Sequence, residues 1–294
     1  MSCSARPTTS PRHHRHDGIN RVLSNTRSGV TMPRGLPLDA AVAVVTGAGS
    51  GIGRAVAQAF AARGASVVVT DIDADRAATV ASEIGDAAVP FRCDVTCLDE
   101  IEAVRDLALK RFGRVDVVVN NVGILAVGPA EQIPLDAWQR SIDVNIMGIV
   151  RSNAVFLPLL IGQGSGHVVN TASTAGLLPY GFDRLPYTTT KHAIVGMSEA
   201  LALYLAPLGV GVSCLCPAGV ATNIMEQVTY YGERRTIRTP SFPEVDADTV
   251  GELVANAVSD GRFLVLTADG VLDELRKQAR DVDAYLAELI SNSN

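Results

Sequence analysis

From Ala40 onward, short runs of apolar and β-branched residues alternate with longer stretches of helical periodicity. Runs that are nearly continuously apolar are typical of strands buried on both faces of a parallel sheet, and the helices between them supply the crossovers that such a sheet needs. The runs are AVAVVTG (41–47), SVVVTD (66–71), AVPFRCDV (88–95), VDVVVNN (115–121), HVVNTAS (167–173), GVSCLCPAG (211–219) and RFLVLTA (262–268). The sequence therefore predicts an α/β protein with a doubly wound, seven-stranded parallel sheet covered by helices on both faces.

The first 37 residues lack this pattern. They hold six arginines and one acidic residue, Asp17, and are rich in Ser, Thr and Pro without apolar periodicity, so we predict a disordered extension over residues 1–37. Their composition weakly resembles a transit peptide, but an over-assigned start site upstream of Met32 explains the extension equally well. Residues 38–294 show no internal boundary and are expected to form a single domain.

Charge and cysteine content exclude several classes of protein. The net charge of −6 argues against a nucleic-acid partner, and no apolar run reaches the ~18–20 residues of a membrane span. Five cysteines, an odd number and few for this length, favour a reducing cytoplasm over a disulfide framework. The pairs Cys93/Cys97 and Cys214/Cys216 could ligate a metal, but no histidine has matching spacing, so we predict buried core thiols and no metal site.

A glycine-rich turn, TGAGSGIGR (46–54), lies between the first predicted strand and the helix that follows it. The usual G-x-G-x-x-G spacing is absent, and Gly47, Gly51 and Gly53 stand in its place. Glycines let the backbone turn tightly and approach a pyrophosphate, whose charge is met by the amides of a helix amino terminus. The position between strand and helix therefore favours a dinucleotide-binding Rossmann fold over a merely flexible turn.

Asp71 ends the second predicted strand, twenty residues after Gly51. A carboxylate at this place can accept hydrogen bonds from both hydroxyls of an adenosine ribose, and it repels a 2′-phosphate. Neither Ser50 nor Ile72 offers a positive charge to a phosphate, and Arg76 lies too far along the next helix to be a convincing substitute. We therefore expect NAD rather than NADP, although Asp71 could also cap a helix.

Tyr187 and Lys191 lie four residues apart in LPYTTTKHAI (185–194), on one face of a predicted helix. Taken alone, the spacing is common and a surface hydrogen bond explains it. To act as a base near pH 7, a tyrosine needs its pKa lowered by ~3 units, or about 4 kcal/mol. An ammonium at ~5 Å in an effective dielectric of ~20 supplies roughly 3 kcal/mol, and an oxidised nicotinamide adds further positive charge.

The ordered set of motifs resembles the compact, single-domain branch of the short-chain dehydrogenase/reductases, from about Val42 to Val265. The matching motifs are TGAGSGIG (46–53), DV (94–95), NNVG (120–123), Asn145, Ser173 in NTASTAG, YTTTK (187–191) and CPAGVAT (216–222). The resemblance implies one NAD-binding Rossmann domain over residues 38–294, with a substrate loop near 223–245.

The resemblance also implies a role for each matching residue. The catalytic set would be Asn145, Ser173, Tyr187 and Lys191, with Asn145 anchoring a water that relays protons. Asp94 and Val95 would flank the adenine, and Val220 and Thr222 would hold the nicotinamide carboxamide. The expected cofactor contacts are Gly47, Ser50, Gly51, Ile52, Gly53, Asp71, Ile72, Asp94, Val95, Asn121, Gly123, Tyr187, Lys191, Pro217, Val220 and Thr222.

Two positions depart from the family pattern. Pro217-Ala218 stands where the family usually has Pro-Gly, and a glycine follows at Gly219. The segment LLPYGFDRLP (177–186) makes the interval between Ser173 and the tyrosine one residue longer than expected, and we interpret it as an insertion that shapes the substrate wall. Ser173 is favoured over Thr174 as the catalytic hydroxyl because it aligns with the preceding NTA.

The resemblance implies an NAD-dependent oxidoreductase that interconverts a secondary alcohol and a ketone by hydride transfer. Two alternatives stay open: an epimerase or dehydratase with tightly held NAD, and a non-catalytic NAD(H) sensor. The substrate is expected to be mainly apolar. The apolar helices around 147–161 and 188–206 match those through which the family oligomerises, so we expect a homotetramer or homodimer in the cytoplasm, without nucleic-acid or membrane partners.

Overall fold

The computed structural model of the 294-residue chain describes Pro33 and residues 35–179, 182–221, 228–233 and 242–291. The strands are β1 (Val42–Thr46), β2 (Ser66–Asp71), β3 (Ala88–Arg92), β4 (Val117–Asn120), β5 (Leu125–Val127), β6 (Gly166–Thr171), β7 (Val210–Cys216), β8 (Val220–Ala221), β9 (Val228–Tyr230), β10 (Val245–Asp246) and β11 (Leu264–Leu266). The helices are α1 (Gly51–Ala61), α2 (Ala74–Ile84), α3 (Leu98–Phe112), α4 (Leu135–Ile142), α5 (Gly148–Gln163), α6 (Leu185–Leu205), α7 (Ala247–Asp260), α8 (Val271–Arg280) and α9 (Val282–Ser291).

All seven strands expected from the sequence pair in one parallel sheet, in the order β11-β7-β6-β4-β1-β2-β3. Val45 of β1 lies between Val69 of β2 and Val119 of β4, which fixes the register at the centre of the sheet. The chain builds outward from β1 to β3 and then crosses to β4 on the other side of β1. A ligand crevice is expected at this reversal, beyond the carboxyl ends of the strands. The predicted α/β Rossmann fold is confirmed.

Two short parallel pairs, β5 with β9 and β8 with β10, were not expected from the sequence. Each strand in them is only two or three residues long, which is too short for a period of two to show in the sequence.

Separate apolar clusters cover the two faces of the sheet. On one face, Phe60 of α1 packs with Val254 of α7, and on the other, Phe156 of α5 packs with Leu205 of α6. All four side chains are fully buried. Because each such burial is worth ~1.5–3 kcal/mol, the strands that carry the site are fixed from both sides.

A π-helical turn, Asp143–Met147, joins α4 to α5 into one helical run, Leu135–Gln163. By length and composition this run could cross a membrane, whereas the sequence predicted no stretch of that length. The expectation concerned uninterrupted apolar runs, and in this helical run, which is continuous only through the π turn, charged residues such as Asp143 and Arg151 interrupt the apolar ones. Val155, Phe156 and Leu160 are buried against the sheet, as in a core helix, which passes the same test.

Both ends of the described chain pack on the sheet domain. Of the predicted extension, Pro33 and residues 35–37 are described, and the Leu36 N–H donates to the Val258 carbonyl at 2.9 Å. At the other end, Tyr285 of α9 packs with Val271 and with Leu178, which precedes α6. The two carboxyl-terminal helices therefore cover part of the segment that leads to Tyr187.

Candidate active site

A cleft of about 330 Å³ opens at the carboxyl ends of β1, β2, β4, β6 and β7, where the strand order reverses. Most residues of the expected site line it: Gly47, Ser50, Gly51, Ile52, Asp71, Ile72, Asp94, Val95, Asn121, Gly123, Ser173, Tyr187, Lys191, Pro217 and Val220. Gly53 and Asn145 lie behind its wall, and Thr222 falls outside the described residues.

The turn between β1 and α1 requires glycines, because larger residues there would strain the backbone or collide with it. Gly47 and Gly51 have φ values of +63° and +52°, in the left-handed region that glycine tolerates best. A Cβ on Gly53 would collide with the Gly47 carbonyl oxygen. The turn brings the first amides of α1 to the cleft, and the first turn of α1 carries no acidic side chain. This cradle fits the pyrophosphate of a dinucleotide.

Asp71 is buried at the end of β2, and backbone amides hold its carboxylate from two sides. Gly49 N–H donates to Oδ2 and Asp73 N–H donates to Oδ1, both at 3.0 Å. Each oxygen can still accept a further hydrogen bond from the cleft, so the two oxygens together could accept one from each hydroxyl of a ribose. Asp73, not Asp71, caps the following helix through bonds from the Asp75 and Arg76 amides.

Arg76 also lines the cleft, and its Nη2 lies 3.6 Å from Asp71 Oδ1. The sequence argument that Arg76 lies too far along the helix was wrong. Because α2 begins at Ala74, only three residues after β2 ends, its first turn folds back over the carboxyl end of the strand. A basic side chain in the first turn after β2 was the available signal.

Two residues just after β4, Asn121 and Gly123, contact other parts of the site. Asn121 N–H donates to Thr46 Oγ1 at 3.1 Å, and its side-chain Nδ2 donates to the Gly47 carbonyl at 3.3 Å, which anchors the glycine turn. A Cβ on Gly123 would lie 3.3 Å from Lys191 Nζ, so the glycine leaves room for the ammonium.

Further cleft residues were not singled out from the sequence as ligand contacts: Cys93, Thr96, Val122, Ile124, Arg140, Val144, Thr171, Ala172 and Ala218. Most lie beside an expected residue at a strand end. Asp94 and Val95 line the cleft, and Asp94 Oδ1 accepts from Thr96 N–H at 2.9 Å and from its hydroxyl at 2.7 Å.

Asn145 lies in the π turn and is fully buried. Such turns are frequent at functional sites because they insert one residue into a helix and re-aim its side chain. Oδ1 accepts from the Ile124 N–H at 2.9 Å, and Nδ2 donates to the Ile124 carbonyl at 3.1 Å and to Thr190 Oγ1 at 3.0 Å. Thr190 Oγ1 in turn donates to the Tyr187 carbonyl at 2.9 Å. Asn145 thus connects the cleft wall to the helix that carries the tyrosine.

Ser173, Tyr187 and Lys191 meet at one end of the cleft. The Ser173 and Tyr187 side chains are hydrogen-bonded, and Ser173 Oγ also accepts from the Ala175 N–H at 3.1 Å. Lys191 is buried, with Nζ donating to the Thr171 carbonyl at 2.8 Å and lying 5.4 Å from the centroid of the Tyr187 ring. Thr174 does not line the cleft, so the geometry favours Ser173 as the hydroxyl at the site.

Burial controls the protonation of this group. It raises the pKa of Tyr187 above its usual value, while the hydrogen bond from Ser173 and the charge of Arg184 act to lower it. The sequence argument expects Lys191 and a bound oxidised nicotinamide together to lower the pKa of the phenol, and burial of the tyrosine acts against that lowering. Burial also lowers the pKa of Lys191 to about 8, so its ammonium is mostly charged at pH 7.

The departures from the family pattern have simple structural consequences. Among the described residues, Ala40 is the non-glycine residue with a positive φ, so Ala218 does not need the backbone freedom of a glycine. The Ala218 N–H donates to Thr267 Oγ1 at 2.9 Å. In the 177–186 segment, Leu178 packs under α8 and α9, and the Asp183 carbonyl accepts from Gly128 N–H at 2.7 Å. Its described residues anchor the segment and do not line the cleft.

Comparison with known proteins places the chain in a family. The model of the short chain dehydrogenase family matches residues 41–230. The protein belongs to the short-chain dehydrogenase/reductases. D-threitol dehydrogenase of Mycolicibacterium smegmatis is 32% identical over 80% of this chain and 92% of its own length, and cyclohexanol dehydrogenase of an Acinetobacter species is 32% identical over 79% and 93%.

Solved structures of the family agree with this fold. A short-chain dehydrogenase/reductase from Burkholderia phymatum, crystallised in complex with NAD, superposes with a TM-score of 0.76 at 32% identity, covering 85% of this chain and 96% of its own. Short-chain dehydrogenase/reductases are oxidoreductases that bind a nicotinamide cofactor, and the glycine turn, Asp71 and the room left at Gly123 fit such a group. Within the residues described, no cluster of three or more His, Cys, Asp or Glu side chains could hold a metal ion.

Proposed function

We propose that this short-chain dehydrogenase/reductase interconverts a secondary alcohol and a ketone with NAD as cofactor. The observation that carries the proposal is the meeting of Ser173, Tyr187 and Lys191 at one end of a cleft whose other end is formed by the glycine turn and Asp71. Two relatives of comparable length are named as dehydrogenases of alcohols, which supports the reaction class.

Each residue then has a distinct task. When bound, the nicotinamide supplies the acceptor or donor of hydride. The Tyr187 hydroxyl exchanges a proton with the substrate oxygen, and Ser173 donates a hydrogen bond to that oxygen. Lys191 keeps a positive charge beside the phenol. Asn145 is a positioning residue, since both of its amide hydrogens are used by Ile124 and Thr190.

The preference for NAD is supported by the buried Asp71 carboxylate, which two backbone amides orient toward the cleft. A 2′-phosphate placed against this carboxylate would bring two negative charges together. A mainly apolar substrate is proposed from the Leu, Met, Tyr and Phe residues in the sequence segments 177–186 and 223–242.

The test is an assay of purified protein with NAD or NADP and a panel of secondary alcohols, including sugar alcohols, cyclic alcohols and sterols. We expect NAD reduction by at least one class, and a Tyr187→Phe protein that binds NADH normally but loses at least 100-fold in kcat. Full turnover by Tyr187→Phe would refute the assignment. Unreleased, stoichiometric NAD would favour an epimerase or dehydratase, and binding without turnover of any substrate would favour a sensor.

We also propose a homotetramer or homodimer in the cytoplasm. Met147 and Val150 on the π turn and α5 are each 38% exposed, and Leu203 on α6 is 81% exposed. Apolar side chains on the outer faces of two neighbouring helices suit a symmetric interface. Light scattering that shows only particles of the chain's own 30.9 kDa would contradict an oligomer. The cysteines among the described residues are buried and free, as a reducing compartment allows.

A further inference from the structure

The two carboxyl-terminal helices, α8 and α9, pack against each other as a hairpin. They follow residues 41–230, the part of the chain that the family model matches. Lys277 Nζ of α8 donates to Glu288 Oε1 of α9 at 2.6 Å, and the Tyr285 hydroxyl of α9 donates to Glu274 Oε2 of α8 at 2.9 Å. These two bonds join the helices and fix the direction of the Tyr285 side chain.

The Tyr285 ring faces the sheet domain rather than solvent. The residue is only 2% exposed, and its ring packs in one apolar cluster with Leu178, which is fully buried. Phe242, near the end of the expected substrate loop, packs against the same cluster. Leu286, the next residue of α9, does not belong to the cluster and is 39% exposed. The hairpin therefore contacts the domain through Tyr285.

Leu178 ends a tight turn that begins at Ser173. The Gly176 N–H donates to the Ser173 carbonyl at 2.8 Å, and the Leu178 N–H donates to the Thr174 carbonyl at 2.9 Å. The turn also packs on α6, since a Cβ on Gly176 would lie 2.5 Å from the Lys191 carbonyl oxygen. Two contacts thus hold the turn, one with α6 at Gly176 and one with the hairpin at Leu178. In a close-packed interior, they leave Ser173 little freedom to move.

We propose that Tyr285 is a positioning residue for Ser173 and acts through Leu178. The inference rests on the proposed function, in which Ser173 donates a hydrogen bond to the substrate oxygen beside Tyr187. Without the Tyr285 ring, Leu178 loses a packing partner and the turn is held at only one of its two contacts. A displacement of ~1 Å at a reacting group is enough to slow the chemical step. Asp71 and the glycine turn form the other end of the cleft, so cofactor binding is expected to persist.

The first measurement separates the chemical step from cofactor binding. Tyr285→Ala is expected to lower kcat for alcohol oxidation about tenfold and to change the dissociation constant of NADH by no more than about twofold. Tyr285→Phe keeps the ring and loses only the bond to Glu274, so kcat is expected to stay within about threefold of that of the unaltered protein. If Tyr285→Ala does not fold, Tyr285→Leu leaves a smaller gap and is expected to show the same changes at reduced size.

Leu286→Ala is the matched control, because it shortens an apolar side chain on the same helix outside the cluster. Its kcat and its dissociation constant for NADH are both expected to stay within about twofold of the unaltered values. An equal loss of kcat in Leu286→Ala and Tyr285→Ala would assign the effect to the stability of the helix and overturn the inference.

The pH profile distinguishes positioning from a purely structural role. The hydrogen bond from Ser173 acts to lower the pKa of Tyr187, so its loss in Tyr285→Ala is expected to move the profile of alcohol oxidation to higher pH. Weaker packing that leaves Ser173 in place would not move the profile. A Tyr285→Ala protein with unchanged kcat and an unchanged profile would therefore overturn the inference.

The route through Leu178 is tested by a double-mutant cycle. If Tyr285 acts through Leu178, the double variant Leu178→Ala/Tyr285→Ala is expected to have a kcat within about twofold of that of the slower single variant. Losses in kcat that multiply in the double variant would show two independent routes and contradict the inference.

Amide hydrogen exchange tests the same contact without substrate. The turn from Ser173 to Leu178 is expected to exchange faster in Tyr285→Ala than in Leu286→Ala, while β1 and β4 keep their protection. If the unaltered protein oxidised no alcohol, the proposed function would fail. Unchanged exchange of the turn in Tyr285→Ala would instead overturn the inference about Tyr285, whatever the activity.

Discussion

Lys191 and Tyr187 face each other across one turn of α6, with the lysine Nζ 5.4 Å from the centroid of the tyrosine ring. An ammonium ~5 Å from a phenolate oxygen would stabilise the phenolate by roughly 3 kcal/mol at an effective dielectric of ~20. Burial opposes this stabilisation, because it raises the pKa of Tyr187 and lowers that of Lys191 to about 8. The pair is thus placed in an environment that disfavours both charges, and it is suited to catalysis at a cost in stability.

The first prediction concerns this cost. Replacing Lys191 by Met is expected to lower kcat for alcohol oxidation at least 100-fold, because the phenol loses the charge that favours its ionisation. The free energy of unfolding at pH 7 is expected to stay equal or rise. Burying the charge costs ~3 kcal/mol at pH 7, and losing the bond to the Thr171 carbonyl costs ~1–3 kcal/mol.

The sign of the pH dependence provides the control. Since the folded pKa of Lys191, about 8, lies below the unfolded value of 10.5, the unfolded chain binds more protons between pH 8 and 10.5. Lys191 therefore makes stability rise with pH across this window, and Lys191→Met lacks that contribution. Urea unfolding of both proteins at pH 7.5 and pH 10 measures the difference, and identical slopes would contradict the charged, buried lysine.

The second prediction concerns the direction of the reaction. Because burial raises the pKa of Tyr187, the neutral phenol predominates near pH 7, which suits it to donate a proton to a ketone oxygen. Alcohol oxidation needs the phenolate, so its kcat/KM is expected to rise as pH increases from 6 to 8, by up to about tenfold per pH unit. Ketone reduction is expected to be nearly flat over that range. Initial rates in both directions measure this, and an oxidation rate independent of pH would count against Tyr187 as the titrating group.

The sequence predicts the fold well because each element carries its own signal. The seven strands of the sheet are mostly apolar runs that alternate with helical periods, and the glycines and the Tyr187–Lys191 spacing mark the two ends of the cleft. These signals are local, so they can be recognised in the sequence without knowing how the elements pack.

What the sequence does not predict depends on how elements pack. Arg76 reaches Asp71 only because α2 begins immediately after β2 and turns back over it. The raised pKa of Tyr187 follows from burial, which spacing along a helix does not reveal. Leu178 lies in a segment that looked like a substrate wall, yet it packs under helices formed by residues about a hundred positions away.

The third prediction concerns Thr190, which links the π turn to the tyrosine helix. Its Oγ1 accepts from Asn145 Nδ2 at 3.0 Å and donates to the Tyr187 carbonyl at 2.9 Å. Thr190→Val keeps the shape but leaves a buried amide N–H of Asn145 without its acceptor, so we expect a loss of ~1–3 kcal/mol in stability. With Asn145 and Tyr187 no longer held together, kcat is expected to fall about tenfold.

Thr190→Ser is the matched control, because it keeps the hydroxyl and removes only a methyl group. We expect it to retain most of the activity and to lose less stability than Thr190→Val. Thermal unfolding and steady-state kinetics of the two variants separate the hydrogen bond from packing. Equal losses in both would show that the buried methyl group, and not the hydroxyl, is what matters at this position.

The fourth prediction concerns His167 in β6, a fully buried residue that does not line the cleft. Its Nε2 shares a 2.8 Å hydrogen bond with Ser213 Oγ, and burial lowers its pKa from 6.5 to about 4. Because the folded pKa is lower, the unfolded chain binds more protons between pH 6.5 and 4, and stability is lost as pH falls through that range. The full shift corresponds to ~3 kcal/mol at pH 4 or below.

His167→Gln removes the titrating ring while keeping a side chain that can hydrogen-bond to Ser213. Its stability at pH 7 is expected to fall by ~1–3 kcal/mol because the packing is less complete. Between pH 7 and pH 4.5, however, it should lose ~2 kcal/mol less than the unaltered protein, since carboxylate titrations are common to both. Urea unfolding at the two pH values measures this. Parallel losses in both proteins would show that His167 is already charged in the folded state or does not control the acid sensitivity.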